Sequence, residues 1–308
     1  MSRPNERPDV VVCGAGVIGL TVAVRLQEAG HRVAIVAREL PEATTSAVAA
    51  AIWYPYLAAP FERVQAWATA TFRRLTDLCA DPDSGVTMLD AVERLAPGTP
   101  APQWAHDLGN AQPIGAAAIR ARVPLCDTRR YLPWLRARFE RDGGALHLRA
   151  LASLDEALAL GATVVNCTGL GARTLCADPE LVPVRGQVAL TRGSRLSEAW
   201  LDDTTGDPIY AIPRGDEVVL GGTAQRGDER LEPDADDTER IVAACRRLVP
   251  ELARAAVHTV RVGLRPWRPA VRLERDAAEP RVVHCYGHGG SGFTLAWGCA
   301  DEVARLLA

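Results

Sequence analysis

DVVVCGAGVIGLTVAVRLQEAGHRVAIVARE, Asp9–Glu39, is the stretch that decides the fold. From Asp9 to Cys13 the chain runs through β-branched residues without polar interruption, the pattern of a buried strand, and a glycine ends it. Gly14, Gly16 and Gly19 then form G-x-G-x-x-G. Val17, Leu20 and Val24 recur on one helical face as far as Gly30, and a second strand is predicted from Arg32 to Ala37. In a strand–turn–helix setting these glycines permit a tight turn and bring a pyrophosphate against main chain at the helix N-terminus. Gly14, Ala15, Gly16, Val17, Ile18 and Gly19 are therefore the expected dinucleotide contacts. After the second strand Arg38 precedes Glu39. The arginine suits the 2′-phosphate of NADP and the acid suits the ribose of FAD or NAD, so this end leaves the dinucleotide open.

The rest of the composition narrows the function. The 308 residues are 48% hydrophobic and 24% charged, as expected of a protein with one complex core or two domains. No apolar run reaches the roughly 18 residues of a spanning helix, and the polar N-terminus is no signal peptide, so a cytoplasmic protein without membrane association is expected. The eight cysteines are scattered without a C-x-x-C pair and read as buried, reduced thiols. All 35 basic residues are arginine, which excludes a lysine Schiff base. A net charge of -3 without a basic stripe gives no reason to expect nucleic acid.

Further segments settle the cofactor. TTSAVAAAIWYPY (Thr44–Tyr56) follows the second strand with no room for the usual helix, and VVNCTGLGA (Val164–Ala172) is a second buried strand with a glycine turn. VRGQV (Val184–Val188), GLRPWRP (Gly263–Pro269) and the closing HCYGHGGSGFTLAWGCADEVARLL (His284–Leu307) complete the set. Together they resemble the D-amino acid oxidase family of flavoproteins over nearly the whole chain. Val282, Val283, His284, Tyr286, Gly287, Gly289, Gly290, Gly292, Gly298 and Ala300 fit the family's signature, and Cys285 departs from it at a small polar position. His284 and His288 are four apart, but a glycine loop without a nearby carboxylate makes a poor metal site, and no metal is expected.

The resemblance implies an α/β fold in which a Rossmann-like FAD-binding domain is interrupted by a second domain on a mixed or antiparallel β-sheet. The division implied is 1–80, 125–186 and 266–308 for FAD, and 81–124 and 187–265 for substrate. It implies non-covalent FAD held also by Arg38, Glu39, Thr44, Thr45, Ser46, Thr168, Gly169, Gly287, Gly289, Gly290, Ser291, Gly292, Phe293 and Thr294. The glycine loop would let flavin and substrate lie against main chain, with the positive end of the last helix facing them.

The implied reaction is oxidative deamination of a D-amino acid, by hydride transfer from Cα to flavin N5, to a 2-oxo acid and ammonia, with O2 reduced to H2O2. Arg265 matches the family's carboxylate-binding arginine, Tyr210 a hydroxyl in the same grip, and Gly290 a carbonyl that accepts from the substrate ammonium. Where mammalian members carry a second lid tyrosine this chain has Gly206, and the connection after Gln187 looks short, so a long closing lid is not expected. The terminal RLLA lacks the peroxisomal tripeptide, which fits a bacterial member. A homodimer is left open. D-Aspartate oxidase, glycine or sarcosine oxidase, and an NADP-dependent dehydrogenase motivated by Arg38 remain as alternatives. Arg226 lies near the region where an acidic substrate would need a cation, although Ala224 takes the expected place.

Several elements are also expected. A helix through Phe72, Leu75 and Leu78 is one, and a second through Leu132, Leu135 and Phe139 should start near Arg130 because of Pro133. Short strands are expected at Gln187–Thr191, Ile209–Pro213 and Glu217–Gly222, followed by a helix within Glu229–Leu252.

Overall fold

The computed structural model describes residues 7–55, 58–193, 196–204 and 206–308. Along the chain, β1 (Val10–Cys13), α1 (Val17–Glu28) and β2 (Val33–Ala37) come first, followed by the short α2 (Thr45–Val48) and long α3 (Phe61–Leu78). Next come β3 (Val86–Arg94), α4 (Gln103–Leu108), β4 (Gln112–Ile114) and β5 (Ala118–Cys126). After them the chain returns through α5 (Thr128–Arg141), β6 (Ala145–Leu148), α6 (Leu154–Leu158), β7 (Thr163–Asn166) and α7 (Ala172–Leu175). The last part comprises β8 (Val182–Arg192), β9 (Ala199–Asp202), β10 (Ile209–Arg214), β11 (Glu217–Gly221), β12 (Gln225–Arg226), α8 (Ala235–Leu248), β13 (Ala256–Arg275), β14 (Val282–His288) and α9 (Gly292–Leu307).

All fourteen strands join one sheet in the order β4-β5-β3-β9-β10-β11-β8-β13-β14-β7-β1-β2-β6, with β12 on β8. The wing β14-β7-β1-β2-β6 is parallel. β1 is buried throughout, because helices cover both faces of such a wing. Among these helices α9 and α3 approach closely at Gly298, where a Cβ would stand 2.3 Å from the Trp67 backbone. The other wing is antiparallel except for the β3–β9 pair.

Three findings differ from the sequence pattern. β13 is a twenty-residue strand across GLRPWRP, where two prolines interrupt the apparent strand signal. A register shift between Trp267 and Arg272 absorbs the interruption. β8 is likewise longer than Gln187–Thr191, since it pairs with β13 from Val182 to Arg192. As a result, the boundaries expected at 186/187 and 265/266 fall inside two continuous, mutually paired strands. α5 begins at Thr128 rather than Arg130. The Asp127 carboxylate caps the Arg129 N–H at 3.1 Å, and burial of Tyr131 and Leu132 holds the turn at the cost of the one backbone bond that Pro133 cannot donate.

Candidate active site

The turn between β1 and α1 can be built only from glycine at two of its positions. A Cβ on Gly19 would stand 1.9 Å from the Gly14 carbonyl oxygen. Gly14 itself has φ +108°, and a Cβ there would meet the Cys167 carbonyl oxygen at 2.5 Å. The turn is thereby pressed against the end of β7, next to Thr168. Gly16, the N-cap of α1, has no side chain to cap it, and the Val17 N–H donates instead to Ser46 Oγ at 3.0 Å. This helix start, built on a glycine N-cap and flanked by small hydroxyl residues, fits a diphosphate. This fit is independent of any bound group.

The remaining expected cofactor residues converge on that start. Thr44 and Ser46 lie beside Gly16, and Thr45 Oγ1 donates to the Leu264 carbonyl at 3.2 Å. Gly169 (φ +55°) faces Pro266 across 3.9 Å from its Cβ position. Gly287 and Gly289 take φ +86° and +54°, and the Gly289 N–H donates to the Pro266 carbonyl at 2.9 Å. Gly292 opens α9 against Val17, with 3.4 Å between its Cβ position and Val17 Cγ1. Phe293 and Thr294 are buried in the first turn of α9, Ser291 is buried just before it, and Gly290 is exposed at the loop tip. The structure thus brings the β1–α1 turn, α2, the β7 turn, the middle of β13 and the β14–α9 loop together. Arg38 and Glu39 stand at the end of β2, where the Arg38 guanidinium donates to the Glu39 carboxylate at 2.9 Å.

Arg265 and Tyr210 come together on one face of the sheet. Tyr210 is directly opposite Gly221, and a Cβ on Gly221 would collide with its ring at 1.9 Å. Arg265 lies over Gly186 in the same way and donates to the Thr223 carbonyl at 2.7 Å. The Arg265 guanidinium lies near enough to the Tyr210 hydroxyl to favour its ionised form. Burial pushes the Tyr210 phenol above its ordinary range, against the pull of Arg265, so the hydroxyl keeps its proton and can donate. The pair therefore offers a planar guanidinium fork beside a phenolic O–H, one residue away from the Pro266 carbonyl that anchors the glycine loop.

Two other arginines lie near this region. Arg226 stacks on Trp267 at 3.8 Å from the ring centroid. Arg268 bonds Asp178 at 3.0 Å and also reaches Glu180. The connection between β9 and β10 is only six residues, 203–208, and carries Gly206. His284 is buried, with Nε2 at 2.9 Å from Asp276 Oδ2.

Two groups were not visible from the sequence pattern. Cys285, His288 and Cys299 place their ligand-type atoms within 4.8 Å of one another, all buried, so cysteines scattered along the chain are gathered in space. Hydrogen bonds from Cys167 and Cys299 hold the Cys285 thiol below its ordinary range, whereas burial pushes those two upward. The second group is Tyr54, whose hydroxyl donates to Glu93 Oε1 at 2.7 Å and to Asp203 Oδ2 at 3.3 Å. Membership of the Thr44–Tyr56 segment is the one signal that could have pointed to Tyr54, and nothing in DAVER singles out Glu93.

Residues 9–306 match a family model described as FAD dependent oxidoreductase. The chain is 44% identical to a D-amino-acid oxidase of Streptomyces coelicolor, with 97% of each chain covered. It is 43% identical to a D-amino-acid oxidase of Rubrobacter xylanophilus, over 96% of this chain and 94% of that one. Among solved structures, glycine oxidase from Geobacillus kaustophilus superposes with a TM-score of 0.83 at 18% identity, covering 98% of this chain and 95% of that one, a likeness of fold.

Proposed function

The chain belongs to the FAD dependent oxidoreductase family, and on that premise we propose that it is a D-amino-acid oxidase, forming a 2-oxo acid, ammonia and H2O2 from a D-amino acid and O2. The observation that carries the reading is the Arg265–Tyr210 pair, held on bare backbone next to the Gly289–Gly290 loop. Arg265 binds the substrate carboxylate through both oxygens, and Tyr210 donates to the same group. The Gly290 carbonyl accepts from the substrate ammonium, so Cα is held by three points and one hydrogen is directed at the glycine loop. FAD, when bound, supplies the acceptor for the hydride leaving Cα and passes the electrons to O2. No side chain beside Arg265 needs to act as a base, and the imine leaving the site hydrolyses in water.

FAD is held without a covalent bond by Gly14 to Gly19, Arg38, Glu39, Thr44 to Ser46, Thr168, Gly169 and the loop from Gly287 to Thr294. Residues 1–80, 125–186 and 266–308 are its domain, and residues 81–124 and 187–265 bind substrate. Arg38 is neutralised by Glu39, which favours a ribose contact over an NADP phosphate. Arg268 is committed to Asp178 and Glu180, which speaks against its serving as the extra cation an acidic substrate would need. No helix among the described residues is long and apolar enough to cross a membrane.

Anaerobic mixing with D- and L-alanine tests the reading. The purified protein is expected to be yellow, to bleach with D-alanine and to release its flavin on acid denaturation. Faster bleaching with L-alanine, or flavin retained by the denatured chain, would contradict it.

A further inference from the structure

The face that carries Arg265 and Tyr210 continues across the sheet to a carboxylate. Directly opposed residues share a face. Tyr210 opposes Leu201 on β9, and Leu201 opposes Glu93 on β3. Glu93 thus lies two strands from Tyr210 in the same row, about 9–10 Å away at the usual strand spacing. It is 8% exposed, and its Oε2 has no hydrogen-bond partner. No arginine or histidine among the described residues pairs with it. Its other oxygen accepts from Tyr54, which is tied to the first turn of α9: the Tyr54 N–H donates to Thr294 Oγ1 at 3.0 Å, and Thr294 Oγ1 donates to the Tyr54 carbonyl at 2.9 Å. Asp203, exposed at the end of β9, adds a second carboxylate to the same hydroxyl.

We propose that Glu93, with Asp203 at its rim, is the subsite for a cationic substrate side chain, so that D-amino acids ending in an ammonium or guanidinium are preferred over uncharged ones of the same length. The proposal rests on the oxidase reading above. With the α-carboxylate on Arg265, the four-carbon stem of D-lysine places its ammonium roughly 6 Å from Cα, assuming bonds of about 1.5 Å. The stem is directed along the row past Leu201, the residue that stands between Tyr210 and Glu93. Burial pushes the Glu93 carboxyl up to about 7, against the pull of the Tyr54 hydrogen bond, and an arriving cation would restore its charge and fill its empty acceptor position. Tyr54, packed edge-on against Trp104 at 5.8 Å, gives the stem an aromatic wall.

The test compares kcat/KM for D-lysine with that for D-norleucine, its uncharged analogue, by O2 uptake at pH 8. Taking the ratio within each protein cancels any general loss of folded enzyme. In the wild type the ratio is expected above one, and in Glu93→Gln it should fall by about ten-fold or more, since a charge-assisted hydrogen bond is lost. A wild-type ratio at or below one overturns the proposal, whether or not Glu93→Gln folds, and so does a smaller fall in the folded variant. Asp203→Asn, at the exposed rim, should lower the ratio less than Glu93→Gln, and the reverse order also overturns the assignment. If D-alanine and D-norleucine are oxidised while D-lysine is not favoured, only the subsite fails. If no D-amino acid supports O2 uptake, the oxidase reading fails and takes the subsite with it.

Discussion

A Cβ atom on Gly186 would stand 2.5 Å from Nη1 of Arg265, so the guanidinium rests directly on the backbone of the neighbouring strand. The contact atom is the far end of a flexible side chain, which can move. Gly186→Ala is therefore expected to keep nearly the wild-type melting temperature while displacing the guanidinium. A misplacement of roughly 1 Å in a positioning group costs on the order of 10²-fold in rate. Steady-state kinetics with D-alanine, paired with a melting curve, checks both halves; a large drop in melting temperature would place the strain in the strands instead.

Arg265→Leu should be far more harmful to catalysis than Tyr210→Phe. Breaking a buried charge pair by removing one partner costs about 3–5 kcal/mol, which is a fall of roughly a hundred- to several-thousand-fold in kcat/KM. A single neutral hydrogen bond contributes about 0.5–1.5 kcal/mol, so Tyr210→Phe should lose about ten-fold at most. Both variants are expected to keep their flavin, because neither side chain belongs to the nucleotide turn. Near wild-type kcat/KM in Arg265→Leu would move the carboxylate elsewhere.

Gly19→Ala should behave differently from Gly186→Ala. Here the added methyl meets backbone, 1.9 Å from the Gly14 carbonyl oxygen, and the β1–α1 turn must open to admit it. Overpacking of this kind costs about 1–3 kcal/mol, and the open turn can no longer cradle a diphosphate. The expected result is a lower melting temperature together with a flavin content well below one per chain. Flavin retained in full would mean that the turn is not the diphosphate site.

What was legible in the sequence is what depends on local geometry. Gly14 and Gly19 announce their turn because only glycine fits those two positions, and Gly287 and Gly289, both at positive φ, announce the loop before α9 in the same way. Arg265 and Tyr210 were legible through a resemblance, and their contact with each other was not. β13 was hidden because prolines at 266 and 269 break the alternating signal, while strand identity there depends on pairing with β8. Glu93 reads as an ordinary charge near the end of a strand, since its isolation arises from β9, Tyr54 and α9, each distant in the chain. The gathering of Cys285, His288 and Cys299 is tertiary in the same sense, as a strand, its loop and a helix must first pack.

The pH dependence of stability should show a component from Asp276. Its Oδ1 accepts from the N–H groups of Ala278 at 2.8 Å and Glu279 at 3.0 Å, and its Oδ2 faces His284 Nε2 at 2.9 Å. The His284 hydrogen bond, the largest influence, holds the carboxyl at about 2, against an ordinary 3.8. His284 is itself lowered, chiefly by burial, so it stays neutral and donates from Nε2 while Asn166 Nδ2 lies 3.4 Å from Nδ1. For both groups the folded chain binds fewer protons than the unfolded one, and stability must rise with pH. The His284 contribution begins to be lost as pH falls below its ordinary 6.5. The Asp276 contribution is intact above 3.8 and is lost as pH falls toward about 2. Asp276→Asn should therefore melt lower than the wild type at pH 7, and the gap between the two should narrow as the pH is taken below about 4. Melting curves of both proteins across that range decide it: a gap that stays constant down to the acid limit would mean that the carboxylate's charge contributes nothing and that only its shape is used.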